Sequence, residues 1–207
     1  VTIPNSVTSI GSSAFSGCIS LSKVYFSGDI GDWLEISFGN SSSNPLRTAH
    51  DLYINNQLVS DVVIPESTTI VGNQLSGISA KSITMHDNIT EIAGSAFEGC
   101  LNLESVTIPS RVLRINNNTF HNCKALRSVV IGKRVTAIGS SAFYGCAALS
   151  NIEIPNSVIT IESDAFRECT SLTTVDIPNS VTSIGGSAFS GLSLIHISEP
   201  TRRYAIS

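Results

Sequence analysis

Apolar residues recur along this chain in one fixed order. Each unit opens on Leu-x-x-Val-x-Ile, as at Leu103, Val106 and Ile108. It continues with a Val-x-x-Ile pair such as Val112 and Ile115, then Phe120 and Cys123, before the next unit begins at Leu126. The positions Ile83, Val106, Val129, Ile152 and Val175 are evenly spaced, and Val1 to Lys23 follows the same plan. Alternation at Val106 and Ile108 predicts a short strand with one apolar side, and Pro109, lacking an N–H, ends it. The Val112 and Ile115 pair predicts a second extended segment on the opposite wall. Asn116 to Cys123 is too short for a full helix and predicts a turn, or a single helical or 3-10 turn. A unit this small cannot bury its own apolar side, so the units must stack as coils. Parallel strands about 4.8 Å apart would make some eight coils a solenoid on the order of 40 Å long.

Two stretches break the period. Residues 27–60, approximately, read as an insertion that replaces the rest of the second copy. Within it, Asp29 to Ile36 predicts a short helix with Ile30, Trp33 and Leu34 on one side. Leu52 to Val59 predicts a β-hairpin turning at Asn55 and Asn56, because Asn tolerates positive φ. The third copy, Val62 to Ser82, is degenerate around Leu75 and Ile78. Residues 192–207 form an aberrant tail in which Ile195 and Ile197 offer one last edge strand, three residues early. The string SLIHISEPTRR in that tail resembles translated sequencing-adapter read-through, so the native sequence is expected to end near Gly191.

The string VTIPNSVTSIGSSAFSGC, with its copies as far as Gly191, resembles the BspA-like leucine-rich repeats of bacterial and protozoan surface proteins. His86 and Gly132 depart from it at the Pro column. The resemblance implies an α/β repeat solenoid: a right-handed leucine-rich-repeat coil with a parallel strand ladder, mostly β and turn, with a hairpin-bearing insertion. It also implies a cell-surface or extracellular location and adhesion to a host or matrix protein.

Composition narrows the function further. Charged residues make up 14% of the chain, against roughly a quarter in an average soluble domain. The formal net charge of -4, with basic residues unclustered beyond Arg202 and Arg203, argues against nucleic-acid binding. No apolar run approaches the ~20 residues of a membrane span. The five cysteines, Cys18, Cys100, Cys123, Cys146 and Cys169, occupy one column, spaced unlike paired zinc ligands, and read as buried free thiols, with disulfides between neighbouring coils as the alternative. His50, His86, His121 and His196 fall in different columns, with no metal-binding pair among them. The serines are turn residues outside any nucleophile elbow, and no phosphate-binding glycine motif occurs. No cofactor and no catalysis are expected.

What remains is surface. The x positions of Leu-x-x-Val-x-Ile point outward and make a regular face of the kind solenoids use for protein ligands. The candidate protein-binding residues there are Lys23, Tyr25, Lys81, Thr84, Glu104, Thr107, Arg127, Val130, Asn151, Glu153, Thr174 and Asp176. Trp33 and Tyr53 in the insertion are candidates too, because long insertions in repeats carry function, although with Phe38 they read more readily as the insertion's own small core. The expected role is protein binding or adhesion; the alternative is a passive stalk that displays other domains. Apolar interior residues at the two ends also make end-to-end self-association an expectation.

Overall fold

Two parallel strand ladders form the walls of the protein, and the apolar columns fill the space between them. The computed structural model describes residues 1–193 and the backbone of the strand His196–Ser198; the expectations for Ile195 and for residues 199–207 lie outside the described residues. On the first wall, Asp61–Val63, Ser82–Thr84, Ser105–Thr107, Ser128–Val130 and Asn151–Ile152 pair in sequence order. On the second, Arg114–Ile115, Ala137–Ile138, Thr160–Ile161 and Ser183–Ile184 do the same. Every pairing between coils is parallel, and in the regular part each rung advances by one sequence repeat, with Ser105 opposite Ser128 and Arg114 opposite Ala137. The sequence period thus becomes a stack of about eight turns, eight second-wall strands falling within the described residues.

The interior follows the columns. Leu103, Leu126, Leu149 and Leu172 are fully buried, as are Phe97, Phe120, Phe143 and Phe166. The phenyl rings stack through the core, with centroids 5.3–5.4 Å apart from Phe97 to Phe189. In the first coil, Ile3 is buried, whereas Val7, Ile10, Phe15 and Leu21 are half-buried and Val1 and Cys18 are exposed.

The segment between the walls is a run of tight turns. Tyr144 N–H bonds to the Ser141 carbonyl and Cys146 N–H to the Phe143 carbonyl. Two left-handed positions per coil keep this from becoming helix. One column holds Ser95, Asn118, Ser141, Asp164 and Ser187, with φ between 54° and 58°. The other holds Gly99, Asn122, Gly145, Glu168 and Gly191, with φ from 60° to 77°. Residues with a Cβ meet their carbonyl in this conformation at a cost of roughly 1–2 kcal/mol. Glu168, at φ 61°, therefore stands where glycine fits best. Glu168→Gly should stabilise the protein by about 1 kcal/mol and raise the melting midpoint by roughly 2–4 °C; an unchanged or lower midpoint in calorimetry would refute that.

Residues 27–60 keep more of the coil than their composition predicts. Lys23 lies opposite Asp51 and Ser9 opposite Ser37, the same offset on both walls, so a complete coil persists, five residues longer than the repeat. The extra length is the helix Ile30–Leu34, closed at its start by Asp29 and Asp32, each carboxylate accepting the other's N–H. The expected hairpin is present: Asp51–Ile54 turns through Asn55 and Asn56, at φ 51° and 60°, into the antiparallel Gln57–Leu58. It ends the first ladder, which orders Thr2–Ile3, Lys23–Phe26, Asp51–Ile54 and Gln57–Leu58. Asp61–Val63 then starts the next.

The degenerate third coil is two residues short, with Asp61 opposite Ser82 and Ile70 opposite Glu91. Leu75 and Ile78 are fully buried there. At the Pro column, Gly132 is needed for closeness, since a Cβ would lie 2.7 Å from the Pro109 carbonyl oxygen. His86 keeps the strand end by placing Nε2 2.8 Å from the Pro65 carbonyl oxygen. At the far end, His196–Ser198 pairs with Thr174–Asp176, as expected of an edge strand, but Ile197 stands opposite Val175. It arrives one residue early rather than three, because a coil one residue shorter than the repeat still returns to the ladder.

Candidate functional site

The outward face of the first wall is built by strand alternation. Val106, Val129, Ile152 and Val175 turn inward and are buried, which leaves their neighbours outside. Lys23, Lys81, Thr84, Glu104, Thr107, Arg127, Val130, Asn151, Glu153, Thr174 and Asp176 are all exposed, and Tyr25 and Tyr53 are half-buried. Arg127 N–H bonds to the Glu104 carbonyl and Glu104 N–H to the Lys81 carbonyl, so these three form one column of alternating charge. Among the described residues, no ion pair engages the side chains of Glu104 or Arg127. Beside them a groove of about 570 Å³ runs over Val130, Lys133, Asn151, Glu153, Asn156 and Ser157.

Trp33 does not belong to this surface. It is fully buried, packs edge-on against Phe26 at 5.3 Å, and donates its indole N–H to the Gln74 carbonyl at 3.0 Å. The helix Ile30–Leu34 is one turn and a half long, and Trp33 is the residue with which it closes over the third coil. Tyr53 does reach the face. It lies opposite Tyr25, the rings stacked at 4.9 Å, with Lys23 Nζ 5.4 Å from the Tyr53 centroid. Tyr25 and Tyr53 therefore meet, while Arg127, Asn151 and Glu153 gather on a different sheet.

Two features lay outside the sequence-based set. Asp61 and Val63 also point outward: Val63 is 65% exposed, and Asp61 accepts from Ser82 Oγ at 2.5 Å. The short third coil hides their place in the repeat. The other feature is a column on the turn edge, one residue past each Phe: Glu98, His121, Tyr144 and Arg167. His121 stacks on Tyr144 at 4.9 Å, and Arg167 lies 5.7 Å from the same ring. Arg47 crosses from the long coil to bond Glu98 at 2.8 Å. Burial alone would raise the Glu98 carboxyl, but the hydrogen bonds from Arg47 and Ser95 outweigh it and hold it below the usual range. The regular spacing of this column is visible in the sequence, although its contacts are not. Glu162 is also held low, first by its bond from Arg114 at 2.6 Å and then by Ser140.

The Cys column lies on the inside. Cys123, Cys146 and Cys169 donate their thiols at 3.1 Å to the carbonyls of Phe97, Phe120 and Phe143 in the preceding coil, and Cys100 donates to Leu75 at 3.2 Å. Burial pushes the Cys123 and Cys146 thiols well up and the Cys169 thiol up to about 12. In the native protein, Cys18 alone should react quickly with a thiol reagent in mildly alkaline buffer. All five should titrate after denaturation; fewer than five would mean that pairs are oxidised. Among the described residues, no three His, Cys, Asp or Glu side chains form a metal-binding group, and no helix is long and apolar enough to cross a membrane.

Comparison with known proteins agrees with this architecture. The family model for the BspA type leucine-rich repeat region matches in six copies, over residues 1–92, 49–147 and 136–207. Among solved structures, a leucine-rich repeat protein from Bacteroides ovatus ATCC 8483 is 25% identical over 91% of this chain, with a TM-score of 0.58. The T. pallidum leucine-rich repeat protein is 31% identical over 69% of it, with a TM-score of 0.55. A leucine-rich repeat protein from Eubacterium ventriosum ATCC 27560, 19% identical over 98% of the chain with a TM-score of 0.63, shares the fold. The match spans 51%, 59% and 66% of those three proteins, respectively. No curated protein is significantly similar to the chain.

Proposed function

Because the chain belongs to the BspA-type leucine-rich repeat family, we propose that it is a non-catalytic cell-surface module that captures a protein partner on its outward ladder face. Leucine-rich repeats are a fold widely used for protein interaction, and a rigid stack presents one set of side chains at fixed spacing. The carrying observation is the region around Arg127. There, Val130, which is 61% exposed, stands opposite Thr107 and lines a groove of about 570 Å³ with Lys133 and Glu153. Glu104 and Arg127, outside any ion pair among the described residues, form the adjoining column. Charge for orientation around an apolar contact is the composition of a protein-binding patch. A host or matrix protein at the cell surface is the proposed partner.

The test is capture on a panel of immobilised matrix proteins. Arg127→Glu should weaken capture about tenfold, while stability changes by no more than about 0.5 kcal/mol, since no side-chain hydrogen bond or ion pair is lost and only a mild like-charge contact with Glu104 is gained. Undiminished capture by Arg127→Glu, Val130→Asp and Glu153→Lys would eliminate this face. The second reading is a passive stalk, favoured by the uniform rungs and by a match that spans about half of the Bacteroides ovatus protein. It predicts no capture by the isolated chain on any member of the panel.

A further inference from the structure

The hairpin end of the solenoid carries a site of different character. Thr2, Tyr25 and Tyr53 are successive rungs of one ladder, in register with one another. The Tyr25 ring has Tyr53 against one side, stacked at 4.9 Å with 28° between the planes. The rung on its other side is the short Thr2. A cleft of about 580 Å³ opens there, lined by Thr2, Tyr25, Ser27, Tyr53, Asn55 and Asn56 together with the edge of Phe26. Asn55 and Asn56 occupy the left-handed turn of the hairpin, which places both residues at the cleft. Among the described residues, no side-chain hydrogen bond engages these two amides, the two phenols, or the Thr2 and Ser27 hydroxyls. The cleft therefore offers an aromatic wall ringed by neutral groups that both donate and accept.

We propose that this cleft binds an uncharged saccharide, with one pyranose ring lying against Tyr25 over Thr2 and its hydroxyls meeting the Asn55 and Asn56 amides. The chemistry is complementary on each count. A pyranose face carries C–H bonds of positive edge character, which suit the negative face of a phenol ring. Its rim is all hydroxyl and needs neutral partners of both senses, which Asn, Ser, Thr and Tyr supply. The residues that line the cleft include no charged side chain, and Lys23 is held over the Tyr53 ring outside it. The lining thus supplies no cation to pair with a phosphate, sulfate or carboxylate. A peptide adding as a strand would take the outer edge of Thr2–Ile3 rather than the face on which Tyr25 and Tyr53 stand, and the Lys23–Phe26 strand beneath the cleft is paired on both sides. The site lies on a different sheet from Arg127, so the inference stands independently of the protein-binding reading.

The experiment uses the full chain with cellotetraose, chitotetraose, maltotetraose and mannotetraose as probes, read by saturation-transfer NMR. At least one should receive saturation with a dissociation constant in the millimolar range, as expected for a shallow one-ring contact. Tyr25→Ala should weaken that probe about tenfold, whereas Tyr25→Phe should keep most of the binding and Arg127→Glu all of it. Asn56→Gly preserves the turn and should still weaken binding, which separates loss of the amide from loss of folding. Saturation of none of the four probes would overturn the proposal, as would binding undiminished in Tyr25→Ala. Binding confined to a sulfated heparin tetrasaccharide and lost in Lys23→Ala would overturn it too, by showing a charge site instead.

Discussion

Phe143→Ala should cost about 3–5 kcal/mol of stability. The ring is fully buried between Phe120 and Phe166, 5.3 Å from each and within 7° of parallel to both. Truncation removes two aromatic contacts and leaves a void that rigid walls on both sides cannot close. The melting midpoint should fall by roughly 6–20 °C. The effect should also be directional, because the backbone bonds run only between adjacent coils, Phe143 N–H to the Ala165 carbonyl above and Arg127 N–H to the Glu104 carbonyl below. The Arg114–Glu162 pair that spans this coil is half-exposed and contributes little. A broken middle rung uncouples the two halves of such a stack, and the transition should broaden or split. A shift smaller than about 0.5 kcal/mol, within the range of surface substitutions, would show that the Phe column is not the spine of the core.

Trp33→Ala should be comparably costly, about 3–5 kcal/mol, although Trp33 lies outside the regular repeat. Its indole fills the space between the long coil and the third coil, and its N–H reaches the Gln74 carbonyl. That carbonyl also accepts from Asn44 Nδ2 at 3.2 Å, so it keeps a partner when the indole is lost. Trp33→Phe should therefore cost much less than Trp33→Ala, since the ring contacts to Phe26 and Phe38 survive in part. Thermal denaturation of both variants checks the ordering. A Trp33→Ala protein with native stability and impaired partner capture would return Trp33 to the surface and contradict its burial.

The parts of this fold that were legible in the sequence are those where neighbouring coils impose the same demand at every turn. Phe120 and Leu126 must match Phe143 and Leu149 because they stack in the same columns, so the constraint is written as a constant period. The hairpin was legible for a local reason, two Asn residues at positions of positive φ. The long coil was not. Its second-wall strand, Ser37–Phe38, is as long as the others, but the five added residues move it out of the repeat's column, and its place is set by pairing with Ser9–Ile10. Trp33 was ambiguous because a helix of five residues has two sides and the sequence does not say which one meets Gln74. The face itself is the least legible part. Arg127, Val130 and Glu153 satisfy no demand from a neighbouring coil, so nothing in the repeat constrains them, and that freedom lets a surface become specific.

If binding belongs to those free positions and stability to the columns between them, hydrogen–deuterium exchange with and without a captured matrix protein will show it most directly. Peptides covering 104–107, 127–130 and 151–153 should gain protection on binding, while the second wall at 114–115, 137–138 and 160–161 should exchange as before. Protection confined to the second wall or to the turn edge at His121 and Tyr144, with the ladder face unchanged, would contradict it.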